Sequence, residues 1–192
     1  MFIKDWKKDV FTIPNLLSLF RLVLIPVYVV IYLNAQELWE YFLAAAILAV
    51  SCLTDMIDGK IARHYNMIST LGKILDPIAD KATQFTLTLC LSIKHPVLRF
   101  VLVLFIIKEL FQGIAGLVNL RRGKMLPGAL IAGKVCTTIL FISLILLVLM
   151  PDLDESIINA IALIDTGFLT WSFISYILAY FGKNTKVQDL EK

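Results

Sequence analysis

The sequence predicts an all-α integral membrane protein, with six transmembrane helices preceded by a short amphipathic helix at the N-terminus. Three observations predict it. Of 192 residues, 59% are hydrophobic and 17% are charged, whereas soluble domains carry about a quarter of their residues charged. Apolar runs of about 20 residues recur, and at ~1.5 Å rise per residue each can cross ~30 Å of hydrocarbon. Connections such as Asn34–Glu37 and Lys94–Pro96 are short, which makes successive helices antiparallel neighbours. The whole chain, 1–192, is expected to form one membrane domain.

Residues 1–11 place Ile3, Trp6 and Val10 on one helical face, with Lys4, Asp5, Lys7, Lys8 and Asp9 largely opposite. That pattern suits an interfacial helix whose lysines meet anionic headgroups. Pro14 then opens a first span over 14–33, because proline in a helix's first turn has no hydrogen bond to lose; Pro26 is expected to kink it. The remaining spans are expected over 38–60, 72–93, 97–119, 127–149 and 157–181. Basic residues gather at Lys4, Lys7 and Lys8, at Lys60, Arg63 and Lys73, at Arg121, Arg122 and Lys124, and at Lys183, Lys186 and Lys192. Only Lys94 and Arg99 fall on the other side, so the positive-inside rule puts both termini and the 2–3 connection in the cytoplasm.

A net charge of +3 is too small to suggest nucleic acid. Cys52, Cys90 and Cys136 sit singly in apolar runs without metal-ligand spacing and read as small buried hydrophobes. No secretory leader is expected, since the first apolar run carries Arg21 and no A-x-A-like site follows it.

Four carboxylates interrupt this apolar chain in the register Asp55-x2-Asp58-Gly59-x2-Ala62-Arg63-x8-Gly72-x3-Asp76-x3-Asp80. One Asp at mid-helix in a bilayer costs roughly 2.5–3.5 kcal/mol on the mildest scale, so the cluster needs cations or water. Asp55 and Asp58 are i and i+3, and Asp76 and Asp80 are i and i+4, so each pair shares a helix face. All-oxygen donors suit hard ions, Mg²⁺ or Mn²⁺. Two such ions about 3.5–4 Å apart suit in-line phosphoryl displacement. Gly59 and Gly72 leave room for close approach, and Arg63 can fork onto a phosphate.

This eight-position register resembles the signature of the CDP-alcohol phosphatidyltransferase family. The likeness extends to the opening Ile13-Pro14-Asn15-Leu16-Leu17-Ser18 with Arg21, and to the six-span layout. The resemblance implies a homodimeric, six-helix enzyme of phospholipid biosynthesis in the bacterial cytoplasmic membrane, with its site open to the cytoplasm. It implies that an alcohol attacks the β-phosphorus of CDP-diacylglycerol and that CMP leaves. Asp55, Asp58, Asp76 and Asp80 would bind two Mg²⁺ or Mn²⁺ ions, and Asp80 would take the hydroxyl proton as the catalytic residue. Asp55, Asp58, Gly59, Ala62, Arg63 and Gly72 would hold the CDP group.

For the acceptor, three cations inside spans, Arg21, Lys108 and Lys134, are the candidate phosphate-binding residues. Lys108-Glu109 and Gly133-Lys134-x2-Thr137 are similar to acceptor-site segments of family members that use glycerol 3-phosphate. Those commonly carry Arg for Lys108 and a second Lys at the position of Cys136. Members that make cardiolipin from phosphatidylglycerol also lack that second Lys. Glycerol 3-phosphate is the expected acceptor, with phosphatidylglycerol the alternative. A transporter or proton relay is the competing class, since intramembrane carboxylates also line translocation routes; the absence of an internal repeat weighs against it. His64 reads as part of the basic rim, His95 as an outward turn residue, Asp165 as a capping or pairing group, and Gly113 with Gly116 as a close-packing pair.

Overall fold

The computed structural model describes residues 12–64, 72–122, 124–125, 130–181 and 188–189, with backbone alone for 13–14, 55–56, 58–64, 73–74 and the two short strands. The expected interfacial helix over 1–11 lies outside the described residues. Within the described residues six helices follow one another: α1 Ile13–Asn34, α2 Leu38–His64, α3 Gly72–Lys94, α4 Leu98–Arg121, α5 Ile131–Leu149 and α6 Glu155–Phe181. The one addition to an all-α reading is a two-residue antiparallel pair, β1 Lys124–Met125 with β2 Gln188–Asp189.

Four helices, α1, α4, α5 and α6, are long and apolar enough to cross a membrane. In α2 the described side chains form an apolar stretch over Leu38–Thr54, and the acidic motif follows it in sequence from Asp55. In α3, Asp76, Asp80 and Lys81 dilute the apolar face. Large apolar side chains point outward throughout, among them Phe100 at 76%, Leu163 at 73% and Ile142 at 62% exposed. An exterior of that kind is suited to hydrocarbon rather than water. The chain is an integral membrane protein.

Backbone contacts divide the chain into two compact units, Met1–Cys90 and Leu91–Lys192. In the first, α1 packs against α2. Their short turn is tied by the Glu40 carboxylate, which accepts from the backbone N–H groups of Gln36 at 2.6 Å and Glu37 at 3.0 Å. A carboxylate there satisfies N–H groups that a helix start leaves unpaired. Tyr28 stacks on Tyr32 at 5.4 Å between ring centroids, and Tyr41 meets Tyr32 edge-on at 5.7 Å. Helix α1 runs unbroken through Pro26, and α3 through Pro77.

In the second unit α6 is the hub, packing against both α4 and α5. Its buried stripe, Ile158, Ala162, Asp165, Leu169, Ser172, Tyr176 and Ala179, follows alternating steps of three and four residues, the spacing of one helical face. Phe111 of α4 packs edge-on against Phe173 at 5.2 Å. Ser143 of α5 donates a 2.9 Å hydrogen bond to Asp165 Oδ1, so Asp165 is a pairing group, as expected. Several helix hydroxyls satisfy themselves locally: Thr83, Thr88, Thr137, Thr138 and Thr170 each donate to the carbonyl four residues back. In hydrocarbon a hydroxyl has no water to turn to, so this back-bonding is the available solution.

The expected glycine pair separates. A Cβ on Gly113 would meet nothing within 4 Å, whereas one on Gly116 would approach the Tyr180 hydroxyl at 3.5 Å. The tightest of the glycines with described surroundings is Gly133, where a Cβ would lie 2.5 Å from Tyr176 Oη and 2.9 Å from its Cε2. Gly133→Ala is therefore expected to destabilise the α5–α6 contact by about 1–3 kcal/mol, the usual range for overpacking. Thermal unfolding in detergent checks this, and Tyr176→Phe, which removes the nearest atom, should recover part of the loss.

Candidate active site

Helix α1 carries three polar residues on an apolar background, Asn15, Ser18 and Arg21, at 0%, 0% and 2% exposure. Steps of three residues keep them on one side of the helix. They face α3. The Ser18 hydroxyl donates to Asp76 Oδ1 at 2.5 Å. Arg21 donates from one terminal nitrogen to Asp80 Oδ1 at 2.7 Å, and its other terminal nitrogen lies 4.0 Å from Asp76 Oδ1. One guanidinium thus spans both carboxylates, as its fork geometry permits.

The asymmetry of exposure matters. The Arg21 side chain is 3% exposed, against 43% for Asp76 and 52% for Asp80. The cation is the buried anchor, and the carboxylates stand half open above it. Two carboxylates share one guanidinium, a sum of −1 over these three side chains. This matches the requirement, set by the membrane setting, that buried ions be paired.

Helix α2 continues to His64, so Asp55, Asp58, Gly59, Ala62 and Arg63 belong to its last turns; their side chains lie outside the described ones. Asp55 and Asp58 stand as far beyond the turn at Gln36 as Leu17 and Pro14 stand before it. In an antiparallel hairpin that puts them level with the α1 stretch that carries Ser18. Gly72 is buried at the first residue of α3.

The residues in view fit divalent hard ions. Asp76 and Asp80 offer carboxylate oxygens on one helix face, half exposed; such donors suit Mg²⁺ or Mn²⁺. Among the described residues no three His, Cys, Asp or Glu side chains gather into a metal-binding group. The side chains of Asp55 and Asp58 lie outside that search.

Of the three expected phosphate-binding cations, Arg21 meets these carboxylates within the first unit. Lys108 and Lys134 belong to the second unit. Lys108 is buried at 2% exposure, and its Nζ pairs with Glu109 Oε1 at 2.7 Å. Lys134 is exposed rather than buried. The sequence reading started its helix at 127, whereas Leu130 is extended and α5 begins at Ile131, so Lys134 sits in the first turn. Cys136 is buried at 1% exposure. His95, in the α3–α4 turn, is held below its ordinary pKa by burial first and by Lys94 second, with Glu155 opposing; it is neutral near pH 7.

Ser18 was not singled out as a site residue from the sequence. The signal for it was present, in the Asn15–Ser18–Arg21 stripe along an otherwise apolar helix.

A sequence model of the CDP-alcohol phosphatidyltransferase family matches residues 11–177. Among curated relatives, a protein of Shigella flexneri serotype 5b (strain 8401) is 32% identical over 179 residues, covering 88% of this chain and 94% of its own length. A protein of Escherichia coli (strain K12) is 45% identical over 71 residues, 37% of this chain and 38% of its own. Both are named CDP-diacylglycerol--glycerol-3-phosphate 3-phosphatidyltransferase. With Asp76 and Asp80 on one face of α3 and the full eight-position register in place, the chain belongs to the CDP-alcohol phosphatidyltransferase family and is a transferase.

Proposed function

We propose that the protein transfers the phosphatidyl group of CDP-diacylglycerol to glycerol 3-phosphate, giving phosphatidylglycerophosphate and CMP. The observation that carries the acceptor is the near-full-length similarity to a relative named for that acceptor. In the reaction the acceptor's primary hydroxyl oxygen forms a bond to the β-phosphorus and the bond from that phosphorus to the CMP oxygen breaks. The hydroxyl proton passes to Asp80. Arg21, bonded to Asp80, fixes the direction in which that carboxylate presents itself, and Ser18 does the same for Asp76.

Asp55, Asp58, Asp76 and Asp80 would hold two Mg²⁺ or Mn²⁺ ions, which neutralise diphosphate charge when bound. Gly59, Ala62 and Gly72 leave room for the CDP group, and Arg63 forks onto its phosphate. Arg21, Lys108 and Lys134 would supply positive charge for the acceptor's phosphate, as the family resemblance implies; Lys134 is exposed and Lys108 is paired with Glu109. The basic loops orient both termini and the site toward the cytoplasm, and a second copy of the chain completes a homodimer.

The test supplies purified protein with CDP-diacylglycerol, Mg²⁺ or Mn²⁺, and either glycerol 3-phosphate or phosphatidylglycerol, and weighs the lipid product. Phosphatidylglycerophosphate with equimolar CMP is expected from the first acceptor, and its formation should stop on chelation and resume when metal returns. Cardiolipin from the second acceptor alone would replace the acceptor assignment, a reading that buried Cys136 favours by leaving that position without a cation. Uptake by proteoliposomes with no lipid product would point to a transporter instead.

A further inference from the structure

Gln84 stands one helical turn beyond Asp80 on α3. Its side chain is buried, the residue being 5% exposed. Its Oε1 has no hydrogen-bond partner among the described residues, although its backbone carbonyl accepts from the Thr88 hydroxyl at 2.8 Å. A buried amide oxygen left unpaired carries the cost of a hydrogen bond not made, and such atoms are rare in native structures. A leucine would fill this position in a membrane helix without that cost.

Direction adds to burial. Side chains on a helix lean toward its N-terminus and cover the turn before their own Cα. The Gln84 amide therefore extends over the turn that carries Asp80, on the residue spacing that also joins Asp80 to Asp76. A ligand that loses a proton to Asp80 and keeps a second hydroxyl on the adjoining carbon would bring that hydroxyl to this oxygen. Glycerol 3-phosphate is such a ligand. The ionised diphosphate and the acyl esters of the donor lipid have no hydrogen to give, and the nucleotide's own donors would belong with Gly59 on α2 and with Gly72, about three turns back along α3.

We infer that Gln84 is an acceptor-binding residue that takes a hydrogen bond from the second hydroxyl of glycerol 3-phosphate. The inference rests on the proposed acceptor and assigns the group that recognises it as a polyol rather than as a phosphate.

The test compares glycerol 3-phosphate with 3-hydroxypropyl phosphate, which lacks only the second hydroxyl, in wild type and in Gln84→Met. Wild type should prefer glycerol 3-phosphate by about tenfold in kcat/KM, the effect of one hydrogen bond. In Gln84→Met the preference should collapse toward unity through a raised acceptor KM. Equal use of both acceptors by wild type overturns the inference without recourse to any variant. So does a Gln84→Met protein that keeps the preference but melts lower, which would leave Gln84 holding internal structure only, or one whose defect lies in the KM for CDP-diacylglycerol. Failure of wild type to use either acceptor, with phosphatidylglycerol accepted, removes the glycerol 3-phosphate reading itself and the inference with it.

Discussion

Asp80→Asn is expected to lower kcat/KM by about 10³-fold or more while leaving the protein folded. The substitution keeps the shape of the side chain and an oxygen that can accept from Arg21, which donates to Asp80 Oδ1 at 2.7 Å. It removes the negative charge, and with it the group that takes the acceptor's proton and one oxygen donor for a hard cation. Positioned proton transfer alone contributes about 10²–10⁴-fold, and a factor of 10³ corresponds to roughly 4 kcal/mol of barrier. Single-turnover formation of phosphatidylglycerophosphate at saturating Mg²⁺ reads the loss, and unfolding in detergent reads the fold. A rate within tenfold of wild type would remove Asp80 from the chemistry and leave it a structural partner of Arg21. Asp76→Asn supplies the contrast: if Asp76 serves as a metal donor and not as the base, raised Mg²⁺ should recover a larger share of its activity.

The helices were legible because hydrocarbon thickness fixes how long an apolar run must be. Expected spans over 14–33 and 72–93 became Ile13–Asn34 and Gly72–Lys94. The carboxylates were legible because charge has so few reasons to be in such a chain. Neutral polar residues were harder. Thr83, Thr88 and Thr137 satisfy themselves on their own helix, whereas Ser18 reaches across to Asp76 and Gln84 Oε1 finds no described partner. In sequence all of them are polar residues at helical spacing, and only the three-dimensional partner separates a self-satisfied hydroxyl from one that serves a site. Lys134 falls in the first turn of α5 because, although apolarity continues across 127–130, the backbone at Leu130 is extended. Gly113 read as a packing glycine because small residues one turn apart often are; no heavy atom described lies where its Cβ would point.

Arg21→Ala should be nearly as damaging as loss of Asp80, and the reason differs. Arg21 touches both described carboxylates from a side chain 3% exposed, so it sets where they stand before any substrate arrives. Alanine leaves a cavity in the first unit and two carboxylates without their buried cation. Because those carboxylates are half exposed, water takes up part of the lost interaction and the stability cost is moderate. Activity is more sensitive, since displacement of a reacting group by 1 Å can cost about 10²-fold. The expected fall in kcat/KM is therefore about 10²–10³-fold. Arg21→Lys keeps the charge and loses the fork that spans Asp80 and Asp76, so it should recover only part of the rate. The discriminating readout is metal binding, followed by Mn²⁺ titration of the purified protein. If Arg21 orients the carboxylates, Mn²⁺ binding weakens in both variants, more in Ala than in Lys. If it merely neutralises charge, removing a competing cation strengthens Mn²⁺ binding in Arg21→Ala, and Lys behaves as wild type.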